Sequence, residues 1–331
     1  MNQLIVFDLD WNMGYQPKTF RYQGVEQSLR GEIIQIGAVK MDGQEIRDTF
    51  RITLRPRIFR KLHHQVARVT GLTQRDIDGG VPIEQGLRQF RDWCGPDAAL
   101  GEWGVDDVPV LKQDLFLSGL DESWPGKWYD LQKVYTSQQP LKEGENLSLE
   151  SMVDRLGIEK TEDFHEALAD AVYTAKVLQH VNISQGLADY PDDETRLRNL
   201  LLPEDKQRYD FTSWKGYVDG EIWRRNGVMH AALCPDCGRP LTPETEDLWL
   251  NRGSNCLYSM RRCDQHGPVM IWLRRSRTDG LHYLYARATE KADKSTQAKW
   301  AREKKFAIER ARRKVEEAAS GATARPRSVR R

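Results

Sequence analysis

Nine residues near the N-terminus, Leu4-Ile5-Val6-Phe7-Asp8-Leu9-Asp10-Trp11-Asn12, constrain the rest of this chain most. Four consecutive apolar residues, β-branched at their centre, predict a fully buried strand rather than a half-exposed one. Asp8 and Asp10 are two apart, so on a strand both side chains point to one face and Leu9 to the other. Like charges at the edge of an apolar core are costly unless a cation or a proton compensates them. The plainer reading is a strand that ends in two solvated turn residues.

Beyond this strand, strand and helix patterns alternate up to about residue 180. Gly14 to Arg30 reads as polar and irregular, Glu32 to Val39 as a second buried strand, and Thr49 to Leu54 as a third, closed by Pro56. Apolar residues then recur at helical spacing through Leu62, Val66 and Val69 and through Ile83, Leu87, Phe90 and Trp93. Ala98 to Trp103 and Trp128 to Leu131 read as short strands, with a helix through Val108, Leu111 and Leu115 between them. Two more helices are expected, Leu149–Leu156 with Ser148 as cap and Gly157 as stop, and Phe164–Val181. This order indicates an α/β sheet with helices on its faces.

Two further stretches carry chemistry. Trp103-Gly104-Val105-Asp106-Asp107 joins a strand to a helix, where the helix dipole alone explains acidic residues. His165 and Asp170 lie five residues apart, about one and a half helical turns, so Asp170 faces a site that His165 approaches from its edge or from the preceding loop. Taken in order, Asp8-x-Asp10, Trp103-Gly104-x-x-Asp107 and His165-x-Ala167-x-x-Asp170 resemble the DEDDh 3′-to-5′ exonuclease superfamily. The similarity is to the branch with KapD-like bacterial exonucleases and the exoribonucleases that trim histone mRNA. It continues through Gly31 to Val39, Val69-Thr70-Gly71-Leu72-Thr73 and Tyr129-Asp130-Leu131-Gln132, covering about residues 1–183.

The resemblance implies an RNase H-like, mixed five-stranded sheet flanked by helices. It implies two Mg²⁺ or Mn²⁺ ions held by Asp8, Asp10, Asp107 and Asp170, with His165 as general base. The implied reaction releases nucleoside 5′-monophosphates from the 3′ end of a single strand, RNA favoured. Glu102 and Asp106 compete with Asp107, which is chosen because it matches the family position; Asp106 is read as a solvated neighbour, and Glu32 as the polar start of its strand. The family usually has Glu where Asp10 stands, and Asp is shorter by about 1.5 Å. A nucleic-acid-binding or adaptor protein with a weakened nuclease site is the alternative that this departure supports. The first-loop aromatics Trp11, Tyr15, Phe20 and Tyr22 either stack on terminal bases or pack locally.

A second module is signalled by Cys234-Pro235-Asp236-Cys237-Gly238 and Cys263-Asp264-Gln265-His266-Gly267. Two knuckles ending in Gly, with strand-like sequence between them, are a zinc-ribbon signature in which Cys234, Cys237, Cys263 and His266 close a structural, tetrahedral Zn²⁺ site. Cys256 is left as a buried strand cysteine. The domain reading is therefore 1–183 exonuclease-like, 184–213 connector, 214–290 zinc ribbon and 291–331 a basic helical tail with a disordered end, Ser320 to Arg331. That tail carries 14 Lys/Arg against 5 Asp/Glu, while residues 1–290 carry 36 against 44. A basic extension on an acidic body suits a polyanionic partner such as single-stranded nucleic acid with a free 3′ end, or is a solvated helix. No apolar run approaches the roughly 20 residues of a membrane helix. With no signal-peptide pattern at the N-terminus, a cytoplasmic location is expected.

Overall fold

The computed structural model describes residues 3–139, 147–162, 164–201, 208–217, 231–243, 248–253, 255–277 and 281–319. The chain forms two compact units: the first comprises residues 1–192 with 217–219 and 277–283, and the second comprises the remainder.

In the first unit the strands are β1 (Leu4–Asn12), β2 (Thr19–Tyr22), β3 (Val25–Ser28), β4 (Glu32–Asp42), β5 (Glu45–Arg55), β6 (Val81–Pro82), β7 (Ala99–Glu102) and β8 (Trp128–Asp130). The helices are α1 (His64–Thr70), α2 (Gln74–Gly79), α3 (Ile83–Cys94), α4 (Asp107–Leu117), α5 (Leu131–Gln138), α6 (Leu149–Leu156), α7 (Ala167–Leu178) and α8 (Ile183–Ala188). The main sheet runs β6-β5-β4-β1-β7-β8, with β1 antiparallel to β4 and parallel to β7. It is a mixed sheet between helical layers, and the two-residue β6 adds a sixth strand to the five expected.

Alternation along β1 sorts its side chains into two cores. Leu4 and Val6 join the α7 side with Tyr173, Val177 and Leu178. Ile5, Phe7 and Leu9 join the other side with Leu87, Phe90 and Leu111. Burial on both faces is what the unbroken apolar run requires.

The segment Gly14 to Arg30 is not irregular, because β2 and β3 pair as a hairpin. Its two-residue turn, Gln23-Gly24, has φ of 48° and 82°, the left-handed pair that matches strand twist. Gln in place of the usual Asn or Asp hid this turn. The helix expected over Phe164–Val181 also starts later, at Ala167, leaving His165 in a turn with φ of 68°.

In β4, Gly37 lies opposite Asp8 on one side and Arg51 on the other. A Cβ at Gly37 would come within 2.0 Å of the Leu168 nitrogen and 2.1 Å of the Ala167 carbonyl carbon. Only a glycine lets the first turn of α7 rest backbone-on-backbone against the sheet.

The second unit contains α9 (Asp193–Leu201), β9 (Arg208–Tyr217), β10 (Thr242–Pro243), β11 (Leu250–Asn251), β12 (Cys256–Cys263), β13 (Gly267–Arg277), β14 (His282–Lys291) and α10 (Lys294–Ala319). Its sheet order is β10-β12-β13-β14-β9, with β11 also on β12. Leu197 and Leu201 of α9, within the stretch read as a connector, pack in its core with Tyr258, Trp272 and Trp300. Trp300 meets Tyr258 edge-on at 5.8 Å and anchors α10, whose later residues Phe306, Ile308 and Val315 are exposed. The expected disordered end, Ser320 to Arg331, lies outside the described residues.

Gly37→Ala is expected to lower stability by about 2 kcal/mol or more, because backbone rather than a movable side chain must yield. Urea unfolding of the variant against wild type measures this.

Candidate functional site

The bulge between Asp10 and Trp11 shifts the β1 to β4 register immediately after the second aspartate. Bulges re-aim side chains. Trp11 turns into the core beside α4, while Asp8 and Asp10 stay half-buried on the α7 side. Asp170 arrives in the first turn of α7, set down by the Gly37 contact. Asp107 is the first residue of α4, at the end of the parallel neighbour β7, and is buried.

These four carboxylates converge. Burial pushes the Asp8 carboxyl well above the usual range, and Asp170, Asp10, Glu102 and Glu166 push it further. Asp107 is raised the same way, by burial and then by Asp8, Glu102 and Asp10. Burial and Asp170 bring Asp10 to about 7. Asp170 is brought to about 6 by burial, against the opposing pull of His165 and of its backbone N–H.

His165 is exposed, and its left-handed turn lets its own N–H donate to Asp170 Oδ2 at 3.2 Å. The next residue, Glu166, pairs with Arg51 Nε at 3.0 Å, which ties the turn to β5 across Gly37.

Two carboxylates that sequence reasoning set aside have structural duties. Glu102, buried at the end of β7, accepts from the backbone N–H groups of Asp107 (2.6 Å) and Val108 (3.0 Å). It fixes the first turn of α4, and burial brings its own carboxyl to about 7. Glu32 is more than a polar strand start: its carboxylate is buried and accepts from the N–H groups of Arg57, Ile58 and Phe59. Asp106 is exposed and faces Arg30 at 3.6 Å. Neither buried carboxylate had a periodic signal, since both accept from backbone N–H groups rather than joining a side-chain stripe.

Asp10 Oδ2 and Asp170 Oδ1 are buried without a hydrogen-bond partner among the described residues. Orphaned carboxylate oxygens facing other carboxylates are a donor set for hard divalent cations, which take oxygen ligands.

Of the first-loop aromatics, Phe20 and Tyr22 pack on Phe116, whereas Tyr15 is exposed and stacks near His63 and His64.

In the second unit Cys234, Cys237, Cys263 and His266 bring their ligand atoms within 4.8 Å of one another. Cys237 Sγ lies 3.7 Å from Cys263 Sγ, and His266 Nδ1 lies 3.6 Å from both Cys234 and Cys263. Tetrahedral bonds of about 2.3 Å place ligand sulfurs about 3.8 Å apart, so this group fits Zn²⁺. Burial raises the Cys263 thiol, but backbone donors of His266 and Gln265 outweigh it and bring it down to about 6. Cys256 is buried on β12, outside the group. The acidic cluster does not close to the same spacing among the described residues.

Residues 23–178 match the family model described as "Exonuclease". Asp107, His165 and Asp170 fall inside that match, and Asp8 and Asp10 precede it. The chain is 26% identical over 208 residues to "Probable 3'-5' exonuclease KapD" of Bacillus subtilis, covering 61% of this chain and 96% of that protein. It is 26% identical over 168 residues to the DNA polymerase III subunit epsilon of Aquifex aeolicus, covering 49% and 79%. The nuclease domain of 3′hExo, a DEDDh family member solved with rAMP, aligns at 23% identity with TM-score 0.45, covering 54% of this chain and 90% of that one. Exonuclease I of E. coli with a dT13 oligonucleotide aligns at 15% identity and TM-score 0.49, covering 78% and 55%.

Two outcomes are expected. Asp10 and Asp170 have folded-state values of about 7 and 6 against an ordinary 3.8, so the native state holds protons that the unfolded chain has lost. Stability without divalent ions should therefore be greatest near pH 4 and fall as pH rises to about 7. Added Mg²⁺ or Mn²⁺ should restore it at pH 7 to 8, as read by melting temperature. Separately, Cys234→Ser should reduce bound zinc from about one per chain toward none, measured by elemental analysis.

Proposed function

We propose that this chain is a metal-dependent 3′-to-5′ exonuclease that removes nucleoside 5′-monophosphates from the 3′ end of single-stranded nucleic acid, RNA favoured, a reading supported by the match of residues 23–178 to the "Exonuclease" model and by the likeness to KapD. The observation that carries this reading is the convergence of Asp8, Asp10, Asp107 and Asp170 at the end of β1, with two buried oxygens left unpartnered among the described residues. These four would hold two divalent ions, Mg²⁺ or Mn²⁺. Bound there, such ions supply charge neutralisation on the phosphate and a more acidic water.

The chain's own part is positional and acid-base. Glu102 fixes Asp107 and Gly37 sets the depth of Asp170. His165 stands at the open rim, where its imidazole accepts the proton of the attacking water. The water oxygen joins phosphorus as the P–O3′ bond breaks. The products are a nucleoside 5′-monophosphate and a strand one nucleotide shorter with a new 3′-hydroxyl.

RNA preference follows the branch that the motifs resemble. Zn²⁺ at Cys234, Cys237, Cys263 and His266 would be structural, since four protein ligands leave no open position.

A 3′-labelled single-stranded RNA, compared with its DNA counterpart, tests the proposal. Wild type with Mg²⁺ or Mn²⁺ should release labelled mononucleotide, Asp8→Asn should release none, and His165→Ala should be slower by about 100-fold or more. Asp10→Glu should keep or raise the rate. Binding without metal-dependent release would favour the adaptor reading instead.

A further inference from the structure

Residues 55–64, Arg-Pro-Arg-Ile-Phe-Arg-Lys-Leu-His-His, place four Lys/Arg and two His without an acidic residue in a body that is otherwise net acidic. The backbone of this loop is held from below by two buried side chains. Glu32 of β4 takes the N–H groups of residues 57–59. Asn12 of β1 donates to the carbonyls of Phe59 and Lys61 and accepts from the N–H of His63. Asn12 lies two residues beyond Asp10, and Glu32 lies opposite Asn12. The loop is therefore tied to the same strand ends that carry the acidic cluster.

The sheet register fixes where it lies. Asp10 is opposite Gln35, and Gln35 is opposite Thr53, two residues before Arg55. Two strand spacings across and two residues along put Arg55 about 12 Å from Asp10, at the same end of the sheet.

Arg55, Arg57 and Arg60 line one cavity of about 520 Å³, together with Asp78 and Glu84. Among the described residues their guanidinium groups bond to backbone carbonyls: Arg55 to Asp78, Arg57 to Leu117 and Arg60 to Arg57. None of the three forms an ion pair with a carboxylate among the described residues. The two acids of the cavity are engaged elsewhere, Glu84 with Arg88 and Asp78 with the Gln74 amide. Guanidinium groups with donors to spare, held on a rigid loop, match phosphate oxygens.

We propose that this loop and its arginine-lined cavity bind the phosphodiester backbone of the substrate strand, upstream of the nucleotide being removed, with Arg55 and Arg60 as phosphate contacts. The proposal deepens the exonuclease reading and rests on it for the identity of the strand. Arg57, committed to the Leu117 carbonyl, serves to shape the cavity.

The test uses the full chain carrying Arg55→Ala and Arg60→Ala together. Fluorescence anisotropy with a long single-stranded oligonucleotide, without added divalent ions, should show affinity weakened by about tenfold. Its dependence on log salt should be shallower by about 1.4, the value for two lost single-strand phosphate contacts. Cleavage of a dinucleotide, too short to reach the cavity, should proceed at the wild-type rate, and Arg55→Lys with Arg60→Lys should keep most of the salt slope. Unchanged affinity and slope would overturn the proposal, as would an equal loss on the dinucleotide. So would binding of inorganic phosphate that the double substitution removes while strand binding is untouched. A wild type that binds the strand with the expected slope but never cleaves it would instead sink the exonuclease reading and leave the cavity standing.

Discussion

Backbone contact between the first turn of α7 and Gly37 is the constraint on which the acidic cluster depends. Asp8 and Asp10 belong to the sheet, and Asp170 belongs to a helix in another layer. Layers normally stand about 10 Å apart because side chains fill the gap. Here the gap closes, since Gly37 has no side chain and Ala167, Ala169, Ala171 and Ala175 keep α7 slim. Carboxylates from two layers are thereby pressed into mutual repulsion, and burial amplifies it.

Around that contact the supports are polar and individually local. Glu102 holds the turn that presents Asp107, and Arg51 with Glu166 holds the turn that presents His165. Glu32 and Asn12 hold the cationic loop. Each uses a strand side chain to satisfy backbone or charge in a neighbouring connection. The second unit solves a different problem. There a cysteine-histidine group with the spacing of a Zn²⁺ site brings two knuckles together.

Much of this could be read from the sequence where the signal is periodic or covalently spaced. The β1 run, the apolar faces of α3 and α4, the Ser148 and Gly157 caps of α6 and the two knuckles are of that kind. The hairpin at 19–28 escaped because Gln23 adopts a conformation usually left to Asn, Asp or Gly. Helix α2 escaped because its one buried residue, Ile77, makes no periodic stripe. Glu32 and Glu102 were underrated for a related reason. A buried carboxylate that accepts from backbone leaves no mark on the composition of its partners.

The left-handed backbone of His165 sets stability and chemistry against each other at one residue. Residues other than glycine hold φ near 68° at a cost of roughly 1 kcal/mol or more. Glycine would relax that conformation and abolish the imidazole in the same exchange. Selection for robustness alone would thus erode this position, and its retention as histidine in any lineage would record a demand that folding does not make.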